Sequence, residues 1–139
     1  MEDLCQKVMK IARDVGNYLK TEQQLFNKRD IELKGSRNYV TYIDKEAENR
    51  LIGRLQEILP ESGFLAEEET VEFMDKEYTW IIDPLDGTTN YVHGDTPYSV
   101  SIALKHENNI VLGVVYDPLA DQMFSATSKD NAFLNGNKL

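Results

Sequence analysis

Asp83-Pro84-Leu85-Asp86-Gly87-Thr88-Thr89-Asn90 is the stretch of this sequence whose residue types and spacing could do chemistry. It follows the hydrophobic run Trp80-Ile81-Ile82, so the Asp83 carboxylate is expected where a rigid strand runs out. Pro84 fixes its own φ and steers Asp83 away from the helical region. A tight turn then brings Asp86 beside Asp83 and aims the Leu85 carbonyl at the same point. Two carboxylates and a backbone oxygen form a hard oxygen site of the kind Mg²⁺ takes. Gly87 permits close backbone approach. Thr88 and Thr89 begin a short helix whose free N–H groups face an anion. A cation site beside a phosphate cradle is what phosphate-ester hydrolysis needs. The bland alternative is an Asp-Pro turn, an Asx-turn and a helix cap. Eight such residues in order, behind a hydrophobic strand, favour the chemical reading.

A second acidic cluster, Glu67-Glu68-Glu69, follows the apolar pair Phe64-Leu65. Charge runs are usually solvated faces. A strand here, however, can place a carboxylate beside another strand end, and only alternate residues share a side. Glu67 and Glu69 would then face one way and Glu68 the other. Cys5 reads as a small packing residue, because no helix N-terminus or basic cluster would lower its pKa. His93 reads as structural and His106, near a hairpin turn, as exposed.

The elements that must position these groups follow from periodicity. Residues Glu2 to Phe26 form an amphipathic helix, with Leu4, Val8, Ile11, Val15 and Leu19 at steps of three and four. Lys34-Gly35-Ser36-Arg37-Asn38 reads as a mobile loop. Asp44 is expected to open a second helix as its N-cap, with Glu46 and Glu48 in the first turn. Ala47, Leu51, Leu55 and Ile58 give that helix its buried face, and Pro60-Glu61-Ser62-Gly63 stops it. Tyr78–Ile82 reads as a strand covered on both faces. Three more strands, carried by Val100–Leu104, Ile110–Tyr116 and Met123–Thr127, form a meander, with Ala132-Phe133-Leu134 a short addition. Helices first and a meander afterwards give an α+β fold, a helical pair packed on a largely antiparallel sheet.

The chain has 139 residues, with 15 Lys+Arg against 24 Asp+Glu and a net charge of −9. That length suits a single domain, 1–139, able to bury about two thirds of its unfolded surface. Hydrophobic residues make up 41% of it, enough for a packed core. No apolar run approaches the roughly 20 residues of a membrane span. The acidic opening Met1-Glu2-Asp3 is unlike a signal peptide. One cysteine excludes an intrachain disulfide and suits a reducing, cytoplasmic setting. The acidic balance argues against nucleic acid as a partner and tolerates a cation site.

The blocks Val40-Thr41-Tyr42-Ile43-Asp44, Glu67-Glu68, Asp83 to Asn90 and Ala132-Phe133-Leu134-Asn135-Gly136 resemble the inositol monophosphatase family, in order and spacing, over nearly the whole chain. Tyr91-Val92-His93 and the Tyr98–Leu104 strand are similar to inositol monophosphatases proper. Nucleotide-phosphate phosphatases of the wider superfamily carry a Lys-Glu pair where this chain has Thr89-Asn90. The resemblance implies the first half of a layered α/β/α/β/α sugar phosphatase fold. It also implies two Mg²⁺ ions and a weak third. Glu67, Asp83 and the Leu85 carbonyl would hold the first, and Asp83 and Asp86 would share the second. Glu67 with Thr88 would orient and deprotonate the attacking water. Asp86 and the N–H groups of Gly87 and Thr88 would face the phosphate, with Asp44 in an outer carboxylate shell. Lys34 falls in the family's matching loop.

The chain departs from the family pattern in two respects. Ala66 stands where the family places Gly, and Glu69 is extra, so anchoring on Phe64-Leu65 selects Glu67 as the ligand. The family's Trp-Asp…Ala-Gly motif, which completes the second metal site and grips the sugar alcohol, is missing, since Trp80 precedes Ile81. The chain is therefore expected to be an N-terminal metal-binding domain without the substrate domain. The implied activity is Mg²⁺-dependent hydrolysis of a small phosphate monoester, myo-inositol monophosphate, by activated water, in a homodimer. The alternatives are a non-catalytic metal- and phosphate-binding domain, or a fructose bisphosphatase-like sugar phosphatase. The chain alone is expected to be nearly inactive and to self-associate through an open sheet face, with Val100, Ile102, Val114 and Phe124 exposed.

Overall fold

The stripe Val8, Ile11, Ala12, Val15 and Leu19 is buried along α1 (Glu2–Lys28). In this computed structural model residues 1–28, 36–66 and 76–139 are described. After α1 come α2 (Ser36–Ile58), β1 (Gly63–Ala66), β2 (Tyr78–Asp86), α3 (Thr88–Val92), β3 (Ser99–His106) and β4 (Asn109–Asp117). β5 (Gln122–Thr127), β6 (Phe133–Leu134) and β7 (Asn137–Lys138) complete the order. The seven strands among the described residues form one sheet in sequence order. β1 runs parallel to β2 and every other pair is antiparallel. The helical pair on a largely antiparallel sheet is the α+β arrangement expected.

One face of the sheet meets the helices. Phe64, Trp80, Ile82, Val100, Ile102, Leu104, Leu112 and Val114 line it, all buried, with α1 packed on β3 to β5 and α2 on β2. Gly16 lets α1 approach closely, because a Cβ there would lie 2.6 Å from the Tyr116 ring. Trp80 Nε1 donates to Ser62 Oγ at 3.0 Å, so the indole N–H is satisfied inside the core. The other face carries Leu65, Val115 and Phe124, which are 46%, 39% and 37% exposed. Val100, Ile102 and Val114, expected on the open face, lie instead under the helices, and of the four only Phe124 is exposed. Alternation separates two faces without saying which one the helices cover. Likewise β2 is covered on its core face, whereas Ile81 and Asp83 on the other side are only half-buried.

α2 begins eight residues before Asp44, so Asp44 is an interior helical residue and not an N-cap. The first turn of α2 contains no acidic residue. Glu46 instead pairs with Arg50 at 3.0 Å, one turn on, and Glu48 is fully buried. Val40 and Ile43 continue the stripe of Ala47, Leu51 and Leu55 backwards at helical spacing, and all five are buried. Burial of that extra turn outweighs the polar look of Ser36-Arg37-Asn38. Lys34 and Gly35 of the expected loop lie outside the described residues.

Candidate functional site

β2 does not end at Asp83 but continues through Asp86. Asp83 pairs with Ser101 of β3, and the next pair is Asp86 with Ser99. Three steps along β2 therefore match two along β3, which is a bulge. Residues three apart in a regular strand face opposite sides. The extra residue restores the parity, so Asp83 and Asp86 share the side of Ser101 and Ser99. Pro84 and Leu85 fall between them, both buried. Proline, with no N–H for the ladder, is tolerated at such an irregularity. The two carboxylates thus share a side through a bulged strand, where a tight turn was expected.

Gly87 follows in the left-handed region, at φ 98° and ψ 39°. A Cβ there would lie 2.9 Å from the Pro97 carbonyl oxygen and 3.2 Å from Tyr98 Cα. Only glycine suits both the conformation and the space. The chain then enters α3 as expected, with Tyr91 N–H donating to the Gly87 carbonyl at 3.0 Å. The N–H groups ahead of that first helical bond have no intrahelical acceptor, as at any helix start. Thr88 Oγ1 donates to the Leu85 carbonyl at 3.4 Å, which places the threonine hydroxyl beside the backbone oxygen expected to face a cation. Asp86 and Thr88 are exposed, whereas Asp83 is half-buried.

Asp83, Asp86 and the Leu85 carbonyl are oxygen-only donors whose two negative charges would balance one divalent cation, the donor chemistry that suits Mg²⁺. Among the described residues no group of three or more His, Cys, Asp or Glu side chains could hold a metal ion. Glu67, the third expected carboxylate, lies outside the described residues, as do Glu68 and Glu69. β1 ends at Ala66, which pairs with Ile82, the residue before Asp83. Asp44, 8% exposed, sits on α2, the helix packed against the strand of Asp83 and Asp86.

The remaining titratable residues divide plainly. Cys5 is buried, and desolvation, helped by the charge of Glu2, pushes its thiol up, so it packs and does not react. His93 is exposed and its N–H closes α3 on the Thr89 carbonyl. His106 is half-buried, not simply exposed: it stacks on Tyr78 at 4.4 Å and lies 2.9 Å from Glu77 Oε2. A cavity of about 570 Å³ lies between α1, β5, β6 and the turn after β6, lined by Gln6, Arg13, Asp121 and Asn135 among others and by none of Asp83 to Thr88. One feature under the site has no counterpart in the motif reading: Gln23, buried on α1, bonds to Tyr91 and Tyr98. Its signal is a glutamine at helical spacing from Leu19, inside an otherwise apolar stripe.

Residues 1–139 match the Inositol monophosphatase family. The chain is 38% identical over 137 residues to an inositol-1-monophosphatase of Mesorhizobium japonicum, covering 98% of this chain and 50% of that protein. It is 36% identical over 140 residues to the Nus factor SuhB of Vibrio cholerae, covering 100% of this chain and 52% of that one. The fold superposes on the inositol monophosphatase structure from Anabaena (Nostoc) sp. PCC 7120 with a TM-score of 0.83 at 29% identity, covering 99% of this chain and 49% of the other. The chain thus spans about half the length of the relatives it matches. With this fold and this match over its whole length, the chain belongs to the inositol monophosphatase family.

Proposed function

We propose that this chain carries the cation- and phosphate-holding half of a Mg²⁺-dependent phosphatase acting on a small phosphorylated sugar alcohol, myo-inositol monophosphate above others. The observation that supports it most is the β2 bulge, which sets Asp83 and Asp86 on one side of the sheet, together with the bond from the Thr88 hydroxyl to the Leu85 carbonyl. Asp83, Asp86 and Leu85 O, with Glu67, would hold the ions. Bound Mg²⁺ would supply charge stabilisation for the attacking water and the leaving alkoxide. The Thr88 hydroxyl would orient the water and Glu67 would take its proton. The Gly87 and Thr88 N–H groups would hold phosphate oxygens, and Asp44 would lower the potential around the site from outside the ligand set. A cytoplasmic setting and a homodimer belong to the same reading.

The test is thermal stability of the chain titrated with Mg²⁺. Stabilisation that disappears in Asp83→Asn is expected, and an equal response in the two would overturn the assignment. Phosphate release from myo-inositol monophosphate then separates this reading from a second one, a non-catalytic metal- and anion-binding domain. The second reading draws support from the donor set, which among the described residues stops at two carboxylates. Mg²⁺ binding without any release would favour it.

A further inference from the structure

α1 reaches the site loop through one buried amide. Gln23 is 4% exposed. Its Nε2 donates to the Tyr91 carbonyl at 3.1 Å, and its Oε1 accepts the Tyr98 hydroxyl at 3.1 Å. The Tyr91 hydroxyl donates to the Leu19 carbonyl at 2.8 Å, and the two tyrosine rings meet edge to face at 4.9 Å. A carbonyl can only accept, so the amide has one orientation that serves both partners.

The two residues that Gln23 grips bracket the Gly87 turn. Tyr91 N–H donates to the Gly87 carbonyl at 3.0 Å, and Tyr98 Cα packs on the face of Gly87 where a Cβ would sit. Asn90 Nδ2 donates to the Pro97 carbonyl at 2.8 Å and closes the loop across its outer side. Asp83 is placed differently, by its own pairing with Ser101 in the β2–β3 ladder. The Asp83 carboxylate and the turn thus have separate supports, and Asp86, the second carboxylate, is paired with Ser99 in the same ladder.

We propose that Gln23 is a positioning residue for the Gly87–Thr88 turn: it sets where the anion-holding backbone lies without touching the anion. The assignment rests on the reading of those N–H groups as the phosphate site. Replacing the amide by leucine leaves the Tyr98 hydroxyl buried without its acceptor, and the loop must shift to find another.

Gln23→Leu in the full 139-residue chain tests this with three measurements. Amide NMR spectra without ligand should show Gly87 and Thr88 moved and Ile102 and Val114 unmoved. Mg²⁺ affinity should stay the same, while affinity for inorganic phosphate at saturating Mg²⁺ should fall about tenfold. A generally loosened fold would weaken both together, and that outcome, or unchanged phosphate affinity, overturns the proposal. Tyr98→Phe removes one of the two bonds and should shift the same signals by less, which keeps the test sharp if the leucine variant folds poorly. A wild-type chain that takes up Mg²⁺ but no phosphate would overturn the phosphate reading instead. The ligand-free Gly87 and Thr88 signals then decide the hold of Gln23 alone: moved signals support it, unmoved ones overturn it.

Discussion

Asp83 and Asp86 stand three residues apart in sequence and on the same side of the sheet, because β2 spends three steps where β3 spends two. A regular strand would have turned one of them to the helices, where a carboxylate would be buried among Val100 and Ile102. The bulge predicts that both aspartates contribute to one cation site. Asp86→Asn should therefore weaken Mg²⁺ binding as Asp83→Asn does, whereas Asp95→Asn, an exposed change beyond α3, should not. Calorimetric titration of the three variants checks this. Unchanged affinity in Asp86→Asn would separate the two carboxylates.

Gly87 is held by conformation and by space at once. Gly87→Ala should destabilise the chain by about 1–3 kcal/mol, the scale of a residue forced into a sparsely allowed region. Denaturant unfolding gives the number. Gly53, on α2 with open space around its Cβ position, is the control: Gly53→Ala should leave stability unchanged or raise it by a few tenths up to about 1 kcal/mol.

The α+β arrangement and the meander could be read from spacing, because Leu19 or Leu104 at the right period has one physical use. Three things could not. The start of α2 was hidden because Val40-Thr41-Tyr42-Ile43 favours strand locally, while in the fold α2 packs on both α1 and β2. The bulge was hidden because Asp-Pro-Leu-Asp also spells a turn, and register is a property of two strands. Gln23 was hidden because its partners lie 68 and 75 residues away. At the site, the residue types of the Asp83–Thr88 stretch were legible, but the backbone that aims them was not.

The two sheet faces should respond to substitution very differently. Ile102, under the helices at 1% exposure, should lose about 2–5 kcal/mol as alanine, a transfer loss plus a cavity. Val115, on the open face, should change by about 0.5 kcal/mol or less as threonine, which keeps the β-branch. Urea midpoints compare them. Equal losses would mean that the open face is covered in solution.

The acidic run after β1 offers a discriminating pair. Side-chain alternation and the anchoring on Phe64-Leu65 make Glu67, not Glu68, the expected ligand. Glu67→Gln should weaken Mg²⁺ binding, because a neutral amide is a poorer partner for a hard dication, while Glu68→Gln should bind as the wild type does. Calorimetric titration checks the pair. The reverse pattern would move the ligand by one residue.

Tyr91 and Tyr98 tie stability to alkaline pH. Burial first, and then each tyrosine's negative neighbours once ionised (Tyr98 for Tyr91, Asp117 for Tyr98), push both hydroxyls far above the ordinary tyrosine range. The folded form thus holds these two protons more tightly than the unfolded chain. Their contribution is fully present below about pH 10, where both states are protonated, and is lost as pH rises beyond it. Each hydroxyl should add a slope of about 1.4 kcal/mol per pH unit above that point. Tyr98→Phe should start about 1 kcal/mol less stable, through the lost bond to Gln23, yet decline less steeply because one titrating group is gone. Urea unfolding at pH values of about 9 to 11 measures both quantities. A slope identical to that of the wild type would mean that the Tyr98 hydroxyl ionises as freely in the fold as outside it, and the buried Gln23–Tyr98 contact would be wrong.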